Sequence, residues 1–267
     1  MTETDVWQVS TEAAEVYEAS FVPAIFAAWA PRVAAAANVG SGNHVLDVAC
    51  GTGIAARHAW TLVNPGGVVT GLDINEGMLT VARRVAPEIT WQQGDAAALP
   101  FDDRRFTAVI SQFGMMFFRD RPQALREMWR LLSPGGRFAV AVLAGLDEAP
   151  SYQALVDITA EHVGEAEAGT FGAPFIMGGP ETLEQAAKDA GISGGIVTLH
   201  HGQVRFASVE EFVRIEVKGS PLAEKLDQAA MDRLTVACIG ALRPYEQASG
   251  ELVMPIAAHF LTATRYQ

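Results

Sequence analysis

The sequence predicts an α/β fold built on a doubly wound, mostly parallel sheet, and three observations predict it. From His44 onward, short apolar runs alternate with segments of helical periodicity. The runs are apolar on both alternating faces, as strands buried on both sides must be. Each is bounded by Gly, Pro or Asp, and the alternation continues for about a hundred residues, the pattern of parallel strands joined by helical crossovers.

In chain order, residues 11–37 read as helix, with Tyr17, Phe21, Ile25 and Trp29 at four-residue spacing and breaks expected at the prolines. The strand candidates that follow are His44–Ala49, Val68–Asp73, Ile89–Gln93, Phe106–Ser111 and Arg137–Val142. Between them, Asn75 caps a helix whose apolar residues are Met78, Val81, Ala82 and Val85. Asp120 caps another, with Leu125, Met128, Trp129 and Leu132 on one face. The run Ser133–Gly136 stops that helix and turns the chain. Further on, Glu181–Ala190 reads as helix, Gly195–Val204 as strand and residues 208–248 as largely helical. Glu251–Thr264 is a final strand that Pro255 assigns to an edge or a bulge.

Composition narrows the function classes. The 267 residues carry 31 acidic against 19 basic side chains, a formal charge of −12, which disfavours nucleic acid as a partner. The apolar stretch Phe21–Val39 is interrupted by Pro23, Pro31 and Arg32, so no membrane span or signal peptide is expected. Two cysteines, Cys50 and Cys238, are too few for a disulfide framework or a zinc finger, and the expected setting is the cytoplasm. No metal site is expected. A homodimer is compatible with the sequence, which leaves the oligomeric state open.

The sharpest motif is VLDVACGTG, Val45–Gly53: a buried strand, a small-residue turn, then a helix from about Ile54. Glycines serve where backbone must approach a ligand or adopt positive φ, and the helix N-terminus offers unpaired N–H groups. Gly51–Ala56 also satisfies a relaxed G-x-G-x-x-A dinucleotide pattern, with Asp73 where a ribose-binding acid belongs. That pattern alone does not separate a nicotinamide dinucleotide from other adenosine ligands. Asp47 inside the first strand and Asp95 after the third break the tie. An acid at each of three successive strands suits a ligand with an amino-acid end, a ribose and an adenine.

From His44 to Val142 the chain resembles the class I S-adenosylmethionine (AdoMet) methyltransferases, and within them the ubiquinone and menaquinone biosynthesis branch. The resemblance is carried in order by VLDVACGTG, VTGLDINEGMLTVAR, QGDAAALPF and LREMWRLLSPGGRF. One departure is Ala49, where the family has the first glycine of the turn.

The resemblance implies a Rossmann-like, mostly parallel seven-stranded sheet with an N-terminal helical cap (1–38) and an AdoMet-binding core (39–146). An acceptor-lid insertion (147–179), more core (180–206), a helical lid insertion (207–249) and the last core strand (250–267) would follow. It also implies site residues. Asp47, Ala49, Gly51, Thr52 and Gly53 would surround the methionyl end, and Asp73 would accept both ribose hydroxyls. Ile74 and Met78 would pack on the adenine, with Gly94, Asp95 and Ala96 along its polar edge. Ser111, Gln112 and Phe113 would border the sulfonium and the acceptor, and Tyr17, with Trp7 as a further neighbour, would offer aromatic faces to the sulfonium charge.

The implied activity is in-line methyl transfer from AdoMet, leaving S-adenosylhomocysteine, to a small, largely apolar acceptor with an oxygen, carbon or nitrogen nucleophile. Two alternatives stand beside it: a nicotinamide-dependent oxidoreductase and a non-catalytic AdoMet-binding protein. Among six histidines, His162 in the first insertion is the candidate general base. Gly191–Gly195 matches G-x-S-x-G but lies between a helix and a strand, the wrong order for a nucleophile elbow.

Overall fold

The computed structural model describes residues 10–266; Trp7 lies outside them. A seven-stranded sheet runs in the order β3-β2-β1-β4-β5-β7-β6. Its strands are β1 (His44–Val48), β2 (Val68–Asp73), β3 (Thr90–Gln93), β4 (Phe106–Gln112), β5 (Leu132–Leu143), β6 (Ile196–Phe206) and β7 (Leu252–Thr264). The first five are parallel and β7 is antiparallel to both of its neighbours. Strand order reverses at β1, which has β2 on one side and β4 on the other. In open α/β sheets the crevice for ligands lies at the carboxyl ends of strands at such a point.

The helices on the sheet start where capping chemistry allows. Asn75 Oδ1 accepts from Met78 N–H to cap α4 (Glu76–Val85), and Asp120 Oδ1 accepts from Gln123 N–H to cap α5 (Arg121–Leu131). Arg265 Nη1 donates to the carbonyls of Trp129, Arg130 and Leu132, satisfying acceptors that the end of α5 leaves free. Leu46, Phe106, Ile110, Leu125, Met128 and Phe138 fill the layer between sheet and helices with almost no exposure.

Three sequence expectations change. First, β7 is an interior strand between β5 and β6, not an edge. Pro255 is tolerated there because it pairs with Gln203 of β6, while the pairing with β5 ends opposite Ala258. Ala257 faces β5, since its carbonyl accepts from Ala144 N–H. By strand alternation the missing N–H of Pro255 therefore falls on that same flank, past the end of β5.

Second, Ser133–Gly136 follows the end of α5 at Leu131, as expected, but does not precede the next strand, which already begins at Leu132. It forms an excursion inside β5, between the partners Phe106↔Leu132 and Ala108↔Arg137.

Third, Pro23 does not break the N-terminal helix. After α1 (Thr11–Val16) the chain continues as a wider π-helical stretch, Tyr17–Phe26, that contains Pro23. The break comes at residues 27–29, ahead of α2 (Ala30–Ala36) with Pro31 in its first turn. The two helical arms meet at 65°.

The remaining helices that matter here are α3 (Ile54–Val63), α6 (Pro150–His162), α7 (Glu165–Gly172), α8 (Pro180–Asp189), α9 (Val209–Lys218) and α10 (Gln228–Leu242). α6 packs on α7 and α10, and α9 on α10, forming one helical cover; α1 lies on α4. Among the described residues no single helix is long and apolar enough to cross a membrane.

Candidate active site

The turn after β1 is built from left-handed residues: Ala49 (φ 57°), Gly51 (φ 55°) and Gly53 (φ 92°). Ala49 holds a conformation that disfavours any side chain, which explains why glycine is the family residue there. Gly51 is roofed by Tyr17, whose ring would lie 3.9 Å from a Cβ at that position. Gly53 is needed for another reason: a Cβ there would meet the Trp91 indole at 2.2 Å. Its N–H donates to Cys50 O at 2.8 Å, so it is not free for a ligand.

Asp73, at the end of β2, organises this turn. Its Oδ2 accepts from Gly51 N–H at 2.7 Å and its Oδ1 from Asn75 N–H at 2.9 Å. Burial raises its carboxyl above the ordinary carboxylate range, and the N–H groups of Asn75, Gly51 and Ile74 oppose the rise. Each carboxylate oxygen accepts more than one hydrogen bond, so capacity remains for hydroxyl donors. Asp95 Oδ1 accepts from Ala97 N–H at 2.8 Å on the loop after β3.

Asp47 is different. It is 1% exposed, and among the described residues neither carboxylate oxygen has a donor in hydrogen-bonding geometry. Burial pushes its carboxyl up to about 8; the Ala56 N–H offsets that only in part, and Asp73 adds to it. An unsatisfied buried acid is costly and calls for a donor, best a cation. Cys50 beside it is held well above the usual thiol value by burial and then by Asp73 and Asp47. It is a buried spacer, not a nucleophile.

These residues open into one cavity of about 520 Å³. Of the sequence-expected residues, Tyr17, Asp47, Ala49, Gly51, Thr52, Asp73, Ile74, Met78, Gly94, Asp95, Ala96, Gln112 and Phe113 line it. Ile74 is 54% exposed at its mouth, an apolar side chain with no core role. Tyr17 stacks on Phe21 and Phe26 at ring distances of 5.8 and 5.2 Å. Gln112 Nε2 donates to Phe26 O at 3.0 Å, while its Oε1 is buried and unpartnered among the described residues. Phe113 is left-handed (φ 56°) and packs on Phe26 and Trp29.

Three expected residues lie off the cavity lining. Gly53 faces Trp91, and Ser111 is fully buried beneath the β4 end with its hydroxyl unpartnered among the described residues. His162 is the last residue of α6 and exposed, because that helix end points to solvent, so the candidate base is misplaced. Among the described residues no group of three or more His, Cys, Asp or Glu side chains is placed to hold a metal ion.

The helical cover supplies the rest of the wall, including Tyr152, Phe171, Phe175 and Glu216. Sequence reasoning missed Glu216. A signal was present: in α9, Glu216 falls four residues after Phe212 and seven after Val209, both fully buried, so an acid occupies an apolar helix face.

A family profile described as a methyltransferase domain matches residues 45–136. The chain is 36% identical over 188 residues to the ubiquinone/menaquinone biosynthesis C-methyltransferase UbiE of Pseudomonas paraeruginosa, covering 61% of this chain and 73% of that one. A Haemonchus contortus phosphoethanolamine N-methyltransferase 2, solved with S-adenosylhomocysteine, shares the fold at a TM-score of 0.62 and 20% identity over 98% of this chain and 59% of that one. The YcgJ protein of Bacillus subtilis superposes at a TM-score of 0.59 with 16% identity, over 89% and 98% of the two chains.

Proposed function

Because the chain belongs to the ubiquinone/menaquinone-biosynthesis branch of the class I AdoMet-dependent methyltransferases, we propose that it transfers a methyl group to a small, largely apolar, quinone-like acceptor enclosed by its helical cover. The observation that carries this reading is Asp47: a buried carboxylate whose oxygens have no donor among the described residues, at the end of a cavity roofed by aromatic rings. An α-ammonium group is the donor it lacks. AdoMet, when bound, supplies a methyl group already activated on a sulfonium, so the protein's work is binding, orientation and exclusion of water.

In this reading Asp47 pairs with the methionyl ammonium, with the Ala49–Thr52 turn alongside. Asp73 accepts the ribose hydroxyls with the oxygen capacity that Gly51 and Asn75 leave. Ile74 and Met78 cover the adenine faces, and Asp95 accepts from its amino group. Tyr17 and Phe113 turn aromatic surface toward positive charge. Phe21, Ile25, Phe171 and Phe175 make the acceptor wall apolar, which suits a ring and keeps out water. Cys50 and Cys238 are both free and buried, which supports a reducing, cytoplasmic setting.

The test is calorimetry with S-adenosylhomocysteine and with NAD, followed by a turnover screen with methyl-labelled AdoMet against quinols, phenols, carboxylic acids and amines. Binding of S-adenosylhomocysteine alone, with label transferred to a ring compound, is expected. Binding of NAD without S-adenosylhomocysteine would overturn the reading, and binding without any transfer would favour a non-catalytic role.

A further inference from the structure

Glu216 interrupts the apolar face of α9, where Val209, Phe212, Val213 and Val217 are buried. It lines the cavity from α9, an element of the helical cover. An acid in such surroundings is expensive to bury without partners. Its partner among the described residues is the Tyr152 hydroxyl of α6, which donates to Oε1 at 2.8 Å. Oε2 is left to the cavity. The pair is held firmly: Tyr152 is 5% exposed, edge-on to Phe212 at 5.4 Å and tilted against Phe175 at 5.1 Å.

We propose that Glu216 is the residue that receives the methyl acceptor's hydroxyl and takes its acidic hydrogen, with the acceptor ring among Phe21, Phe171 and Phe175. This deepens the methyltransferase reading and rests on it. A carboxylate acceptor would set a second negative charge against Glu216. A neutral ether or hydrocarbon would leave Oε2 unpaired. Burial pushes the Glu216 carboxyl up to about 7, with the Tyr152 hydroxyl pulling against it, so the acid is suited to exchange a proton with a hydroxyl near neutral pH. The Tyr152 hydroxyl is itself driven well above its ordinary value, by burial first and then by Glu216, and so remains a donor that positions the acid.

The chemistry balances. The acceptor O–H bond breaks as its proton passes to Glu216, and the electron pair left behind forms the new bond to the methyl carbon while the methyl–sulfur pair stays on sulfur. If a ring carbon is methylated, the displaced ring hydrogen leaves as the proton released to water, and Glu216 returns its own to the oxygen.

The test uses 1-naphthol and its ether, 1-methoxynaphthalene, titrated by calorimetry with and without saturating S-adenosylhomocysteine. Wild type is expected to bind the naphthol about tenfold or more tightly than the ether, as one charge-assisted hydrogen bond would give. Glu216→Gln keeps the shape and should cut the preference to about threefold or less, with affinity for S-adenosylhomocysteine unchanged. Tyr152→Phe keeps the acid and should retain the preference. Equal binding of the two probes by wild type, or a preference that survives Glu216→Gln, overturns the proposal. A Glu216-dependent naphthol preference in a protein that ignores S-adenosylhomocysteine would instead remove the methyltransferase reading and leave the hydroxyl site standing.

Discussion

The methyl group of Ala49 fills the space that a side chain on Gly114 would need: a Cβ on Gly114 would lie 2.5 Å from the Ala49 Cβ. The two residues are complementary across the cavity floor, one from the turn after β1 and the other from the turn after β4. Gly114 has an ordinary backbone (φ −102°), so it is glycine for want of room, whereas Ala49 is left-handed at φ 57°.

This complementarity predicts a non-additive pair. Gly114→Ala alone should cost roughly 1–3 kcal/mol by overpacking. Ala49→Gly alone relieves about 1 kcal/mol of left-handed strain and returns part of it through a freer unfolded chain, so its net effect should be small. In the double variant the next neighbours of the Gly114 position are 3.5 Å away, an ordinary contact, and most of the Gly114→Ala cost should vanish. Denaturant unfolding of the four proteins measures this, and additivity would show that the two positions do not compete for space.

A second prediction separates packing from ligand binding at the other glycine. Gly53→Ala should destabilise by about 2 kcal/mol or more, through its left-handed φ and the approach of Trp91. Trp91→Phe removes the outer indole ring that would collide, so it should recover part of the stability lost in Gly53→Ala. If stability stays normal in Gly53→Ala and only affinity for S-adenosylhomocysteine falls, the glycine serves the ligand instead.

Asp73 carries the third. It already pins Gly51 and Asn75, and the helix cap of α4 is Asn75, not Asp73. Asp73→Ala should therefore lower both quantities: stability by about 1–3 kcal/mol for each orphaned N–H, and S-adenosylhomocysteine affinity by about a hundredfold or more. Asp73→Asn should fall between. Loss of stability with unchanged affinity in calorimetry would remove the ribose assignment.

What the sequence made legible was whatever a local rule could decide. Strands buried on both faces betray themselves by continuous apolar runs, so β1, β2 and β4 are legible nearly to the residue, whereas β5 begins at Leu132, five residues ahead of its apolar run. The acids of the site were legible because Asp47, Asp73 and Asp95 recur at successive strands. What escaped depends on tertiary partners. Pro255 signals an edge by its own chemistry, yet the limited length of β5 lets it sit in an interior strand. Gly53 reads as a ligand glycine until Trp91, far along the chain on β3, is seen against it. His162 is a candidate by residue type alone, and nothing local reveals that its helix end faces solvent. Glu216 hid among the valines of α9 because an apolar face draws attention to its apolar members.

The last prediction follows from Asp47. Its carboxyl is raised from an ordinary 3.8 to about 8, chiefly by burial. Below the unfolded value both states hold the proton, and the stability tied to this group is fully present. Between there and the folded value the unfolded chain has released a proton that the native protein keeps, so stability falls as pH rises through that window. Asp73 and Glu216, also raised by burial, act in the same sense, so the contribution of Asp47 is best isolated by comparison with Asp47→Asn. Free of ligand, that variant should gain stability relative to wild type as pH rises from about 5 to about 8, read as a widening difference in melting temperature. Ligand affinity should show the opposite dependence. A methionyl ammonium pairs with the ionised form, so wild type should bind S-adenosylhomocysteine more weakly as pH falls from about 8 to about 6, by up to about tenfold per unit. Asp47→Asn should bind more weakly than wild type at about pH 8 and with little slope, so that the two proteins converge toward about pH 6. Parallel pH profiles for the two proteins, in both stability and affinity, would mean that Asp47 neither titrates in this range nor meets the ammonium.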